Sequence, residues 1–150
     1  MIGRLIGVDH GRKRIGLAVS DALGVSAREL RILTSAGEAA DFAAIAEIAA
    51  RENAVGIVVG VPHNPNAPAG VPKQADIVLD WIARLRSAVH LPVVEVSEYL
   101  TSDEARALAA QAGRHPREPI DDLAARVILQ SFLDALSYGS ATFPPPASST

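Results

Sequence analysis

Residues 6–20 have the sequence Ile-Gly-Val-Asp-His-Gly-Arg-Lys-Arg-Ile-Gly-Leu-Ala-Val-Ser, which predicts two strands joined by a tight basic turn. The first strand carries one carboxylate, Asp9, among residues suited to a buried strand. An ionised carboxylate in such surroundings is unfavourable unless a metal ion, a cation or hydrogen bonds compensate it. Asp9 is therefore the first candidate for chemistry. The alternative is a structural carboxylate held by the amides of the turn or by Arg14.

Composition and charge narrow the class of protein. The chain has 150 residues, 49% of them hydrophobic, which predicts one globular domain with a real core. The formal net charge is −3, so a polyanionic partner needs a local basic patch, and the densest patch is Arg12, Lys13 and Arg14. The absence of cysteine excludes disulfides and thiolate sites. With no signal-peptide layout and no apolar run near membrane-spanning length, we expect a soluble, cytoplasmic protein.

The pattern of apolar residues predicts strands and helices in a defined order. Strands are expected at residues 4–10, 14–20, 26–33, 55–61 and 92–96. Helices are expected at residues 38–53, 73–89, 101–112 and 121–137. A three-strand meander followed by β-α crossovers predicts an α/β domain over residues 1–138, a mixed sheet with helices on both faces. Residues 139–150, rich in Pro and Ser, are expected to form a flexible tail.

Two later acids are further candidates. Glu98 follows the strand at 92–96, and ligands of open α/β sheets gather at such strand ends. Asp121 lies four and three residues before Ala125 and Ala124, on the apolar stripe of the last helix, so we expect it to point toward the sheet. The alternatives are a solvated loop acid for Glu98 and a helix cap for Asp121.

Neighbouring side chains compete for these roles. Glu95 is expected on the opposite face of its strand from Glu98, because strand side chains alternate. Asp122 lies about 100° around the helix from Asp121 and is expected to be the solvated member of the pair. His10 turns to the other face of the first strand and is expected to pack or to support the turn rather than to bind a ligand.

Asp9, Glu98 and Asp121 form an all-carboxylate set, the kind that holds Mg²⁺ or Mn²⁺ rather than zinc. In phosphodiester hydrolysis, two such ions about 3.5–4 Å apart can activate water and stabilise the leaving oxygen. The basic turn that follows the first strand would then contact the phosphate backbone. The pattern thus favours a metal-dependent enzyme that acts on nucleic acid.

Three ordered blocks of residues resemble the YqgF/RuvX family of pre-16S rRNA nucleases and Holliday-junction-resolvase-like proteins, over residues 2–138. The blocks are Gly7-Val8-Asp9-His10-Gly11-Arg12-Lys13-Arg14-Ile15-Gly16 with Ala18-Val19-Ser20-Asp21, Val58-Val59-Gly60-Val61-Pro62-His63-Asn64 extending to Gly70, and Glu98-Tyr99-Leu100-Thr101-Ser102 with Asp121, Ala124 and Ala125.

The resemblance implies a ribonuclease H-like fold and a nuclease site dependent on Mg²⁺ or Mn²⁺. Its catalytic and metal-binding acids correspond to Asp9, Glu98 and Asp121. It further implies cytoplasmic maturation of the 5′ end of 16S rRNA, hence a role in ribosome biogenesis. The nucleic-acid contacts it implies are Arg12, Lys13, Arg14 and Asn64.

Two segments depart from the family pattern. Ser97-Glu98-Tyr99 stands where the family has Asp-Glu-Arg, so one possible secondary acid and one phosphate-binding arginine are missing. The loop at residues 64–70 lacks the acid of the usual Asn-Met-Asp-Gly-Ser-x-Gly and contains additional prolines. Both changes concern substrate handling more than metal binding.

The leading hypothesis is a metal-dependent endonuclease acting on structured RNA or branched DNA, with the precursor of the small ribosomal subunit as a possible partner and no membrane association. A monomer or a weak homodimer is expected. A non-catalytic nucleic-acid-binding or ribosome-assembly factor is the alternative that Ser97 supports. A sugar-kinase or actin-like ATPase is disfavoured, because the chain has neither a second such domain nor a second Asp-Gly phosphate motif.

Overall fold

Five strands form one mixed sheet in the computed structural model, which describes residues 2–62, 74–98 and 102–145, apart from the side chains of residues 98, 102 and 103. They are β1 (Arg4–His10), β2 (Arg14–Ser20), β3 (Ala27–Thr34), β4 (Ala54–Pro62) and β5 (Val93–Glu98). The strand order is β3-β2-β1-β4-β5. Strands β1, β2 and β3 pair antiparallel, whereas β4 and β5 run parallel to β1. The predicted mixed sheet is confirmed.

The helices cover both faces of this sheet, as the crossover pattern predicts. They are α1 (Glu38–Arg51), α2 (Gln74–Ala88), α3 (Ser102–Gln111) and α4 (Asp121–Ser137). Helices α1 and α2 pack on one face, and α4 packs on the other with α3 beside it. Helix α1 ends earlier than predicted, and Asn53 soon after it has a left-handed φ of 54°. Strand β5 extends further, because Ser97 and Glu98 pair with the end of β4.

The face beneath α1 and α2 is built from large apolar side chains. Ile6, Val8, Leu17 and Ile57 are fully buried there. His10 continues this row beyond Val8, and its ring lies 4.5 Å from the ring of Trp81 in α2. The prediction that His10 packs on the face away from Asp9 is therefore confirmed.

On the opposite face of the sheet, glycines leave the strand backbones uncovered by side chains, and α4 packs directly against them. A Cβ added at Gly7 would lie 2.7 Å from Cβ of Leu129, and one at Gly16 would lie only 1.8 Å from the carbonyl oxygen of Asp121. Since such distances are far inside van der Waals contact, any larger residue at these positions must displace the helix. The first turn of α4 therefore lies over Gly16, the register partner of Asp9.

No helix in the described ranges is long and apolar enough to cross a membrane. After α4, Ala141 and Phe143 pack against the core under that helix, and residues 146–150 lie outside the described part of the chain. The predicted domain boundary at residue 138 stays a prediction.

Candidate nuclease site

Asp9 lies near the end of β1 on the face covered by α4, in register with Gly16 of β2. Its carboxyl group is partly buried at the start of that helix. Burial raises the pKa of Asp9 from 3.8 to about 6, and the nearby negative charge of Asp121 adds to the increase. Asp121 is thus held close enough to disfavour the negative charge of Asp9, an arrangement that a bound cation stabilises.

Asp121, the first residue of α4, faces the sheet as predicted. The Nε of Arg14, at the start of β2, donates a hydrogen bond of 2.9 Å to its Oδ2. Arg14 therefore pairs with Asp121, and the alternative in which it neutralises Asp9 is not what the structure shows. This ion pair is half-exposed on the arginine side, so the guanidinium remains accessible from solvent.

The expectation that Asp122 is solvated is wrong. Asp122 is only 7% exposed and accepts two hydrogen bonds from the guanidinium of Arg114, at 2.8 and 2.9 Å. The segment between α3 and α4 folds back along the start of α4 and brings Arg114 to this position, which helix geometry alone does not reveal. The two adjacent aspartates therefore have different partners: Asp122 binds the preceding loop, and Asp121 faces the site.

Glu98 is the last residue of β5, and its backbone pairs with Pro62 of β4. Its side chain lies outside the described part of the structure, so its role as a ligand stays a prediction. Earlier in β5, Val94 and Val96 pack on the α4 side of the sheet. Glu95 lies 3.8 Å from Arg86 of α2, which confirms that it points away from the face of Asp9.

The described side chains bring together two of the three predicted acids. Within residues 2–62, 74–97 and 104–145, no group of three or more His, Cys, Asp or Glu side chains is positioned to hold a metal ion. The Asp9–Asp121 pair nevertheless fits a divalent cation such as Mg²⁺ or Mn²⁺, because it offers hard oxygen donors and surplus negative charge.

The structure describes three of the four residues that are predicted to contact nucleic acid. Arg12 and Lys13 are exposed in the turn after β1, and Arg14 starts β2 beside Asp121. Asn64 lies outside the described residues. Ser20 is buried and accepts a hydrogen bond of 2.8 Å from the backbone N–H of Leu5, which is a structural role.

Two features of the site were missed from the sequence. The first is Gly16, which has no side chain and so lets the start of α4 approach the sheet. The strand register could have revealed it, because pairing outward from the turn matches residue 10 with residue 15 and residue 9 with residue 16. The second is the Arg114–Asp122 pair. The polar segment 113–119 gave only a weak signal, because loop arginines are usually solvated.

Two solved structures with a similar fold are of resolvases. The chain is similar to RuvC of T. thermophilus in complex with a Holliday junction substrate, with a TM-score of 0.62 and 17% identity over 93% of this chain and 98% of that one. The fowlpox virus resolvase with Holliday junction DNA gives a TM-score of 0.54 and 13% identity, over 89% and 98% of the two chains. At these identities the likeness shows the fold alone, which is the predicted ribonuclease H-like architecture.

Curated relatives are similar over nearly the whole chain. The protein named "Putative pre-16S rRNA nuclease" of Syntrophus aciditrophicus (strain SB) is 36% identical over 89% of this chain and 90% of its own length. The protein of the same name from Moorella thermoacetica is 39% identical over 89% of this chain and 96% of its own length. The family model described as RuvX, Holliday junction resolvase, matches residues 3–135. The chain therefore belongs to the RuvX family.

Proposed function

We propose that this protein is a divalent-metal-dependent nuclease that hydrolyses phosphodiester bonds of structured nucleic acid, with the 5′ end of pre-16S rRNA as its substrate. The observation that carries the proposal is the pairing of Asp9 with Asp121 at the start of α4: burial raises the pKa of Asp9 to about 6, and the negative charge of Asp121 adds to the increase. A buried acid with a perturbed pKa beside a second carboxylate is typical of metal and catalytic centres. The names of the curated relatives support the choice of rRNA.

Asp9, Asp121 and Glu98 would hold the metal, with Asp9 as the central ligand. Bound Mg²⁺ or Mn²⁺ would supply charge stabilisation and an activated water for phosphodiester hydrolysis. The chain itself provides the placement: β1 fixes Asp9, and the glycine-lined face lets α4 bring Asp121 to it. Since both elements are regular and packed, the two carboxylates are pre-positioned before substrate arrives.

Arg14 would contact the phosphate backbone together with Arg12 and Lys13. Only its Nε is used in the bond to Asp121, so the two terminal nitrogens of the guanidinium can reach an anion. Arg14 also orients Asp121. It therefore links the acid pair to the basic turn, as a positioning residue and as a phosphate contact.

The test is cleavage of three substrates by pure protein in Mg²⁺ and in Mn²⁺: a pre-16S rRNA fragment with its 5′ extension, an unstructured single strand, and a four-way DNA junction. Asp9→Asn and Asp121→Asn are expected to lower cleavage at least a thousandfold while nucleic-acid binding is largely kept. Asp134→Asn is the matched control, since this exposed acid lies near the other end of α4.

Preferential cleavage of the rRNA fragment supports the proposed substrate. Preferential symmetric cleavage of the junction would instead favour a resolvase, which needs two active sites and hence a dimer, detectable as mass in solution. Unchanged cleavage by Asp9→Asn would refute the site. A non-catalytic assembly factor would show no cleavage and, by calorimetry, no binding of millimolar Mg²⁺ or Mn²⁺ by either wild type or Asp121→Ala.

A further inference from the structure

A second basic surface adjoins the acid pair, in the segment between α3 and α4. A cleft of about 550 Å³ opens there between the end of α3, the loop that follows it and the first turn of α4. Its charged lining consists of Arg14, Arg106, Arg114, Arg117, Glu118 and Asp121, with His115 beside them. Four arginines thus meet three carboxylates, those of Glu118 and Asp121 in the lining and that of Asp122 bonded to Arg114, in a protein whose net charge is −3. This local excess of positive charge favours an anionic ligand.

The loop that carries these residues is held in one conformation by its own hydrogen bonds. Arg114 donates to Asp122 and to the carbonyl oxygen of Pro119. The carboxylate of Glu118 accepts from the N–H of His115 at 3.0 Å, and Nδ1 of His115 accepts from the N–H of Arg117 at 3.1 Å. The cleft is therefore pre-organised, which lowers the entropic cost of binding.

Arg106 and Arg117 are the two cleft arginines that have no role so far. Arg114 is bound to Asp122, and Arg14 binds Asp121 through its Nε and is already assigned a phosphate contact beside the turn after β1. Arg106 and Arg117 are exposed, and neither forms an ion pair with any side chain that the structure describes. Guanidinium groups suit phosphate, because their planar N–H donors can bind two oxygens at once.

The position of the cleft identifies its ligand. Arg14 and Asp121 belong both to its wall and to the candidate nuclease site, so a chain passing Asp9 would enter the cleft. Helix α4 also begins here, and its N-cap residue, Ile120, makes no side-chain hydrogen bond. The N–H of Leu123 is already bonded to Asp122, so the helix adds to the attraction for an anion through the remaining N–H groups of its first turn.

We propose that this cleft binds a backbone phosphate of the nucleic-acid substrate next to the bond that is cut, with Arg106 and Arg117 as its contacts. The inference rests on the proposed nuclease function and extends it: substrate is held on the α3–α4 side of the acid pair as well as by the turn after β1. Recognition is of phosphate, so the same cleft serves RNA and DNA strands.

The test compares two double variants that remove the same charge. Arg106→Ala/Arg117→Ala removes the two proposed contacts from the cleft. The matched control is Arg28→Ala/Arg31→Ala, because these exposed β3 residues pair with Val19 and Leu17, whose side chains lie on the α1–α2 face. Binding is measured by fluorescence anisotropy in the Asp9→Asn background, with a labelled pre-16S rRNA fragment and a four-way junction, from 50 to 200 mM salt. Circular dichroism confirms that all variants are folded.

The cleft variant is expected to raise Kd about tenfold or more at 100 mM salt and to reduce the slope of log K against log salt by about 1.4 to 1.8, as for two lost phosphate contacts. The control should change Kd less than about threefold. Equal effects of the two variants would overturn the cleft assignment while leaving the nuclease proposal intact. Wild-type protein that neither binds nor cuts either substrate would refute both proposals.

Discussion

The two faces of the sheet use the same strands in different ways. On the α1–α2 face the strands present bulky apolar side chains such as Ile6, Val8 and Leu17, which keep the helices at the distance of an ordinary core. On the α4 face the same strands present Gly7 and Gly16 beside Asp9, and the helix lies against the backbone. The first face provides stability, and the second provides the close approach of two acids. Because side chains alternate along β1, Ile6 and Val8 point into the α1–α2 core, whereas Gly7 and Asp9 lie on the face that α4 covers.

The largest expected effect on stability lies on the α1–α2 face. Trp81 is 4% exposed and packs against the rings of His10 and Phe42. Trp81→Ala should lower the free energy of unfolding by about 3–5 kcal/mol, since it removes a large buried side chain. Urea denaturation measures this loss. The rate of cleavage per folded molecule should stay within about twofold of wild type; a much larger fall, repeated in the milder Trp81→Phe variant, would contradict the separation of the two faces.

The adjacent aspartates of α4 should respond in opposite ways. Asp122→Asn leaves Arg114 largely buried without its carboxylate and should lower the free energy of unfolding by about 3 kcal/mol. Asp121→Asn should change it by less than about 1 kcal/mol, because its pair with Arg14 is half-exposed, yet it should abolish cleavage. Urea denaturation and cleavage assays on both variants are compared. A stable, inactive Asp122→Asn would contradict these roles.

Asp9 should make the stability of the metal-free protein depend on pH. Its pKa is raised from 3.8 to about 6 in the folded state, so the folded protein binds this proton more tightly than the unfolded chain does. The resulting stabilisation is complete below about pH 4 and is lost as the pH rises through 6. Asp9→Asn should therefore be about 2–3 kcal/mol more stable than wild type at pH 7.5 in a chelator, and about equal to it at pH 4. Thermal and urea unfolding across this range measure the difference. A variant less stable than wild type at pH 7.5 would contradict the assignment.

The close approach of α4 is tested by adding one carbon. Gly16→Ala directs a Cβ at the backbone of Asp121, which cannot rotate away, so the start of α4 must shift. We expect a loss of about 2 kcal/mol and at least a tenfold fall in cleavage. Gly60→Ala is the matched control: its Cβ would meet side-chain atoms of Ile128, Cδ1 at 2.5 Å and Cγ1 at 2.8 Å, instead of the backbone at the start of α4. Equal losses of cleavage from both variants would show that helix position is not the cause.

The predicted secondary structure agreed with the structure at nearly every element, because alternation in β1 and β2 and the stripe on α4 are local patterns. The predictions differed from the structure where a contact with another segment of the chain decides the local structure. Strand β5 is longer than its apolar run because Ser97 and Glu98 pair with β4. The solvated position expected for Asp122 came from helix geometry alone, and the loop that supplies Arg114 overrides it.

For the site, the sequence by itself determined which residues are candidates. A carboxylate among apolar strand residues is unfavourable without compensation, so Asp9 is conspicuous in a single chain, and the stripe of α4 orients Asp121 toward the sheet. Only the tertiary structure decided which groups meet. Arg14 pairs with Asp121 rather than Asp9, and the loop before α4 places Arg117 beside that pair. The physical reason is that Arg14 and Asp121 lie 107 residues apart in the sequence, and whether they meet depends on how closely α4 can approach the backbone at Gly16.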